Sequence, residues 1–383
     1  MKPLVLLTDA YGGHGGIAKF NRDLLGALCS SPGLERTVAI PRIMPHSPGE
    51  LPEKLDYVTG GLNSKQRYLK AVLASLIGRA RGCDLILCGH INLLPFAALA
   101  KKLTGAPIVL VIHGIDAWDP VTRRGIGWAL RQVDAIISVS RLTLERFTGW
   151  SGLSGVPSYV LPNSFEPGLF TPGPRPAYLM QRYSLKPEDR VIMTLGRLAG
   201  ADRKKGFDEV LEAMPRLKLE LPKLRYLIVG DGSDRSRLET KAAALGLTDS
   251  VVFTGMIAEE EKADHYRLAD GFAMPSHGEG FGIVLLEAMA CGVPVMASLK
   301  DGSSEALLHG RLGELIDPAD PDEVYSGIYR LLGAPRGIVP EELGYFSYSN
   351  YTARLHGILE RIRSDMTAAS GRTGTRSSGS LSG

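Results

Sequence analysis

Two glutamates separated by seven residues frame the chemically densest stretch of this sequence, Glu279-Gly280-Phe281-Gly282-Ile283-Val284-Leu285-Leu286-Glu287. A short apolar run at 271–274 precedes it and reads as a strand, residues 275–280 read as a loop, and a helix is expected from about Gly282. Gly280 and Gly282 let backbone N–H groups come close to a ligand. A helix start adds its dipole and its unpaired donors, a combination suited to a diphosphate. Glu287 falls one helical turn past Ile283, so its carboxylate can face the same mouth and accept hydrogen bonds from hydroxyls such as a ribose diol. Glu279, in the loop, can grip the hydroxyls of a sugar ring. Taken without context, the pair also fits two surface glutamates, or the acid and nucleophile of a glycoside hydrolase.

Basic groups lie upstream. Gly196-Arg197-Leu198 follows a strand candidate, and Lys204-Lys205-Gly206-Phe207 stands ahead of a helix. Arg can chelate the oxygens of a departing diphosphate and Lys can add a point charge, both gaining strength as negative charge develops. Solvated basic residues at a helix start are the plainer alternative. Near the N-terminus, Tyr11-Gly12-Gly13-His14-Gly15-Gly16-Ile17 follows the first strand and opens a helix. It lacks the G-x-G-x-x-G spacing of a dinucleotide turn. His113 closes another strand in the run His113-Gly114-Ile115-Asp116-Ala117-Trp118. Carboxyl ends of parallel strands are where ligands bind, so His113 is expected to line a site. Asp116 is either an acceptor contact or a loop cap. Gly230-Asp231-Gly232, Asn163 and Glu305 are softer candidates, each equally readable as a turn residue.

These residues need strands and helices to hold them. Short apolar runs at 3–8, 37–40, 84–88, 107–112, 135–139 and 158–161 alternate with helical patterns. A second round follows at 190–194, 225–229, 251–253, 271–274 and 294–297. Such alternation means parallel sheet covered by helices, and two rounds mean two domains. The expected organisation is an N-terminal Rossmann-like domain at 1–165, a linker at 166–189, a second Rossmann-like domain at 190–345, a C-terminal helix at 346–366 and a disordered Ser/Thr/Gly tail at 367–383. Prolines at 162, 167, 172, 174, 176 and 187 support an extended joining stretch.

The 383 residues allow two such domains. A hydrophobic content of 44% with mean hydropathy +0.02 reads as soluble, and no apolar run reaches the roughly 20 residues of a membrane span. The N-terminus does not read as a signal peptide, so the chain is expected in the cytoplasm. Cys29, Cys83, Cys88 and Cys291 form no CxxC pair, and no His/Asp cluster has metal spacing, so the cysteines read as reduced interior thiols. Net charge is only +3, yet residues 1–165 carry 18 Lys+Arg against 11 Asp+Glu, and the remainder 26 against 30. The first half is built to meet something anionic. Its most basic segment, 65–81, holds five basic and no acidic residues. It reads either as a core-facing helix with a solvated basic face or as a membrane-surface helix drawn to anionic lipid.

With its glutamate pair ahead of Ala288-Met289-Ala290-Cys291-Gly292-Val293-Pro294-Val295, the chain resembles the family 4 glycosyltransferases (glycosyl transferases group 1) over roughly residues 3–365. The resemblance implies an α/β GT-B fold, two Rossmann-like domains facing across a cleft, with the donor on the second domain and the acceptor on the first. It implies that Glu279 holds the donor sugar and Glu287 the ribose. The backbone of Gly280, Phe281, Gly282 and Ile283 would meet sugar and phosphates, Arg197 and Lys205 the diphosphate, and Gly230 the nucleotide side of the pocket. Gly15 and Gly16 match the family's first glycine-rich loop, and His113 the histidine that touches the donor sugar. His14 and Asp116 are the candidate acceptor contacts. The activity implied is retaining transfer of a hexose such as mannose or glucose from a UDP- or GDP-sugar, without cofactor or obligatory metal. The expected acceptor is a saccharide, polyprenyl-linked or otherwise lipid-linked, in cell-surface polysaccharide synthesis of the exopolysaccharide or lipopolysaccharide type. An anionic membrane surface is a further expected partner; a nucleic acid is not. A nucleotide-sugar epimerase, a phosphorylase and a non-enzymatic sugar-nucleotide-binding protein remain alternatives.

Overall fold

Runs of three to six residues, most of them apolar, form the strands of a computed structural model, which describes residues 1–123, 125–200 and 203–374. The chain divides into two units. One comprises Met1–Val139, Thr143–Leu161 and the residues from Ser349 onward; the other comprises Ser140–Leu142 and Pro162–Tyr348.

The first unit holds β1 (Pro3–Leu7), β2 (Thr37–Pro41), β3 (Leu55–Tyr57), β4 (Leu85–Cys88), β5 (Ile108–Ile112), β6 (Val133–Ser138) and β7 (Ser158–Val160). They form one sheet in the order β3-β2-β1-β4-β5-β6-β7, every neighbour parallel. Leu4, Leu6, Ile86, Leu110 and Ile136 project into one core with Tyr68 and Val72 of helix Lys65–Ile77. The second unit repeats the plan with β8 (Arg190–Leu195), β9 (Leu224–Val229), β10 (Val251–Gly255), β11 (Gly271–Met274), β12 (Val295–Ser298) and β13 (Glu314–Ile316). Its order is β10-β9-β8-β11-β12-β13, again all parallel. Each sheet therefore reverses direction beside its first strand, between β1 and β4 and between β8 and β11. In doubly wound sheets such switch points open a crevice at the strands' carboxyl ends.

Three expectations change. The stretch anticipated as a linker at 166–189 is not extended throughout: helix Ala177–Arg182 occupies its middle, with Leu179 buried. Between Pro176 and Pro187 there is no proline to prevent a turn of helix. Arg175 pairs with Asp270 and Arg182 with Glu261, fastening the stretch to the second unit. The helix foreseen at 65–81 stops at Ile77, and its buried face is Tyr68, Ala71, Val72 and Ser75. Ile77 is left 80% exposed. The last helix, Tyr348–Gly374, starts two residues later than anticipated and runs through 367–374, where a tail was expected; residues 375–383 lie outside the described residues. That helix packs with the first unit. Tyr351 sets its ring edge-on to Phe20 at 5.9 Å, the His356 ring meets the Ala27 carbonyl oxygen at 2.8 Å, and the Tyr159 hydroxyl donates to Asp365 at 3.1 Å.

Candidate active site

In the second unit four loops converge at the carboxyl ends of β8, β9, β11 and β12. The first two are pressed backbone to backbone. The Leu198 N–H donates to the Asp231 carbonyl at 3.0 Å. A Cβ on Gly230 would stand 2.0 Å from the Gly196 carbonyl oxygen, and one on Gly232 would stand 2.1 Å from that of Leu198. Gly230 thus acts as a spacer that lets the Arg197 loop sit where it does. Arg197 itself is exposed and has no ion pair among the described residues.

Lys205 follows the loop residues 199–204, of which 201 and 202 lie outside the described residues. Gly206, at φ 84°, turns the chain into helix Phe207–Glu220 and lies flush against Pro275, whose carbonyl oxygen is 2.7 Å from where a Cβ would be. The Lys204 carbonyl accepts from the His277 N–H at 2.8 Å. This seam between the β8 and β11 loops carries the central contact: the Lys205 ammonium pairs with the Glu279 carboxylate, the two side chains being 27% and 17% exposed.

Glu279 is held by its backbone. Its N–H donates to Asp301 Oδ2 at 2.8 Å, and its carbonyl accepts from the Gly302 N–H at 2.8 Å. Asp301 is 1% exposed and also receives the hydroxyls of Ser276 and Ser303 and the Ser303 N–H. Burial raises its pKa against these stabilising contacts. Gly282 enters helix Ile283–Ala290 at φ 93°, and no side chain caps that start. First-turn N–H groups without intrahelical partners remain there for a ligand. The Phe281 ring is buried against Phe346, centroids 5.5 Å apart, so only its backbone can face a ligand.

Glu287 has partners that its spacing did not foretell. Its side chain is 3% exposed and points between two residues of helix Lys262–Leu268. Oε1 accepts from Lys262 Nζ at 2.8 Å and Oε2 from the Tyr266 hydroxyl at 2.7 Å. The structure therefore joins Lys205 to Glu279, leaves Arg197 without an ion pair among the described residues, and seats Glu287 with partners of its own. Asp301, Lys262 and Tyr266 were missed from the sequence. Asp301 did carry a signal, an Asp-Gly-Ser-Ser run just past a strand end; Lys262, in a Glu-rich run, carried none. Asp320-Pro321-Asp322 spells an Asp-x-Asp run, but Asp320 caps helix Pro321–Gly333, accepting from the Asp322 and Glu323 N–H groups.

In the first unit, Gly15 at φ 88° leads into helix Gly16–Cys29, which has no side-chain cap. His14 is exposed, its ring edge-on to His46 at 4.6 Å. His113 Nε2 lies 3.0 Å from the Gly89 carbonyl, and its ring meets Phe20 edge-on at 5.0 Å. Burial lowers its pKa to about 4, so the ring is neutral at pH 7. A carbonyl can only accept, which puts the proton on Nε2 and leaves Nδ1 an acceptor. Asp116 lies in the same turn. Burial raises its pKa to about 7 although backbone hydrogen bonds from Asp116, His113 and Gly114 favour the ionised form. Its Oδ2 has no hydrogen bond among the described residues, and His90 Nε2 is 3.9 Å away.

Known proteins share this plan. The family described as Glycosyltransferase Family 4 matches residues 14–168, and that described as Glycosyl transferases group 1 matches residues 179–348. A GDP-mannose-dependent alpha-(1-6)-phosphatidylinositol monomannoside mannosyltransferase of Mycolicibacterium smegmatis is 36% identical over 250 residues, covering 62% of this chain and 64% of that protein. The match thus spans less than two thirds of that relative's length. A D-inositol 3-phosphate glycosyltransferase of Acidothermus cellulolyticus is 31% identical over 310 residues, 73% of this chain and 67% of its own. The structure of sucrose-phosphate synthase from Thermosynechococcus elongatus superposes with a TM-score of 0.77 at 20% identity, covering 95% of this chain and all of that one.

Proposed function

The chain belongs to the family 4, group 1 glycosyltransferases, and from that premise we propose that it transfers a hexose from a nucleoside-diphosphate sugar to a lipid-linked saccharide with retention of configuration. The observation that carries this reading is the Lys205–Glu279 pair set beside an uncapped helix start at a sheet switch point. Cation, carboxylate and open amides together match a diphosphate bearing a sugar. Arg197 and Lys205 take the phosphate oxygens, which makes a divalent metal unnecessary. Glu279 orients the sugar hydroxyls. The bond from the anomeric carbon to phosphate breaks as the bond to the acceptor oxygen forms on the same face, and the acceptor proton passes to the leaving phosphate oxygen.

GDP-mannose is the first donor to try, because the mycobacterial relative is named for it; UDP-glucose is the second. A lipid-linked acceptor fits both the phosphatidylinositol monomannoside for which that relative is named and the basic helix Lys65–Ile77. Beside that helix runs a groove of about 510 Å³, edged by Arg67, Lys70 and Arg79 over Val58, Ala71 and Ala74. No helix among the described residues is long and apolar enough to cross a membrane. The attachment we propose is peripheral, at the cytoplasmic face. The test is a panel of UDP- and GDP-sugars scored by thermal shift, since a ligand of the folded state raises its stability. Transfer to lipid-linked acceptors and the anomeric configuration of the product follow. No shift with any donor, or binding without transfer, refutes the enzyme reading; interconversion of the donor sugar would make the chain an epimerase. Neutralising Lys65, Arg67 and Lys70 should weaken binding to anionic vesicles about 100-fold at low salt, taking about 1 kcal/mol per residue.

A further inference from the structure

A carboxylate 3% exposed keeps its charge only when something compensates for lost water, and for Glu287 that is Lys262. The ammonium is 2.8 Å from Oε1, the Tyr266 hydroxyl is 2.7 Å from Oε2, and Tyr266 is fully buried. Both donors come from the single helix Lys262–Leu268 and grip the carboxylate like a fork. Lys262 Nζ also lies 3.5 Å from the exposed Glu259 and 5.8 Å from the centre of the Phe170 ring. Tyr266 packs edge-on to that ring at 6.0 Å. The fork is thus fixed on several sides.

Buried ion pairs contribute little net stability, and apolar residues of similar volume commonly serve folding as well. A pair kept in such a place invites a functional reading. We infer that Lys262 and Tyr266 are positioning residues that present Glu287, ionised and locked in rotation, to the cis-diol of the donor ribose. The inference rests on the reading of Glu287 as the ribose contact, which the family resemblance implies. A carboxylate has about four lone-pair directions; the fork occupies one on each oxygen and leaves one on each for the 2′- and 3′-hydroxyls. Without the ammonium, the carboxylate is free to swing away, and ribose is no longer distinguished from deoxyribose.

The experiment measures dissociation constants of the full chain for GDP against 2′-deoxy-GDP, and for UDP against 2′-deoxy-UDP, by calorimetry. An acceptor left unpaired costs about 1–3 kcal/mol, so the wild-type protein should prefer the ribonucleotide by about 5- to 150-fold. Lys262→Met should cut the preference to within about 3-fold, Tyr266→Phe should reduce it partly, and Lys262→Arg should restore it. A Lys262→Met protein that melts lower but keeps the full preference overturns the inference, because the pair is then structural only. If Lys262→Met does not fold, Tyr266→Phe and Lys262→Gln carry the same readout. Glu287→Gln separates the two levels. Loss of preference there with none in the Lys262 variants sinks the fork alone, whereas an unchanged preference in Glu287→Gln removes the ribose reading itself.

Discussion

Lys205 and Glu279 neutralise each other across the seam where a nucleotide's phosphates and a sugar would meet, and that pairing makes a counter-intuitive prediction. A nucleoside diphosphate without its sugar has to draw Lys205 away and leave Glu279 unpaired beside its phosphates. A full donor supplies hydroxyls to the carboxylate it displaces. Exposed ion pairs are worth about 0.2–1 kcal/mol, and breaking fully buried ones costs about 3–5 kcal/mol. At 27% and 17% exposure this pair lies between them, at about 1–2 kcal/mol. Glu279→Gln removes that competition. At 1.4 kcal/mol per decade, the variant should bind GDP or UDP about 5- to 30-fold more tightly than the wild type in calorimetry at low salt. The gain should shrink in high salt as the ion pair weakens. Transfer from the full donor should fall by about 100-fold, because the amide cannot orient the sugar as a charged acceptor does. Weaker or unchanged nucleotide binding in a Glu279→Gln protein of normal melting temperature refutes the argument.

Asp301→Ala should lower stability by about 3 kcal/mol and abolish donor binding, since four donors lose a buried charged acceptor; chemical denaturation and thermal shift with the donor check both. Gly230→Ala places a methyl 2.0 Å from the Gly196 carbonyl oxygen at φ 131°. The variant should lose about 2–4 kcal/mol and show weaker donor binding through the displaced Arg197 loop. Asp116 and His113 give opposite pH signatures. The native Asp116 pKa of about 7 lies above its ordinary 3.8, so its contribution to stability is present at low pH and is lost as pH rises through 4–7. The native His113 pKa of about 4 lies below its ordinary 6.5, so its contribution is lost as pH falls through 6.5–4. Urea titrations of Asp116→Asn should therefore show a flatter loss of stability towards pH 7, and those of His113→Gln a flatter loss towards pH 4.

Strands whose buried runs end in Gly, His or Asp could be read from the sequence because apolar runs and loop residues are local signals. The edge strands Leu55–Tyr57 and Glu314–Ile316 were missed: each has three residues, one buried and two partly exposed, so no apolar run marks it. The basic loop and glutamate pair were legible because phosphate and hydroxyl recognition restricts residue types. The company Glu287 keeps was not, since Lys262 and Tyr266 precede it by 25 and 21 residues on a helix with its own charge pattern. The orphaned oxygen of Asp116 likewise depends on how β4 and β5 place their loops, which no spacing encodes.

The return of the chain to its starting unit orders events during synthesis. Phe20 and Ala27 meet their partners Tyr351 and His356 only after more than 300 further residues have been added. The unit running from Pro162 to Tyr348 has nearly all of its strands and core available before then. Maturation is thus expected to run against the direction of translation, with the apolar face of helix Gly16–Cys29 waiting longest for its cover. A fragment ending near residue 161 would keep that face uncovered and be prone to self-association.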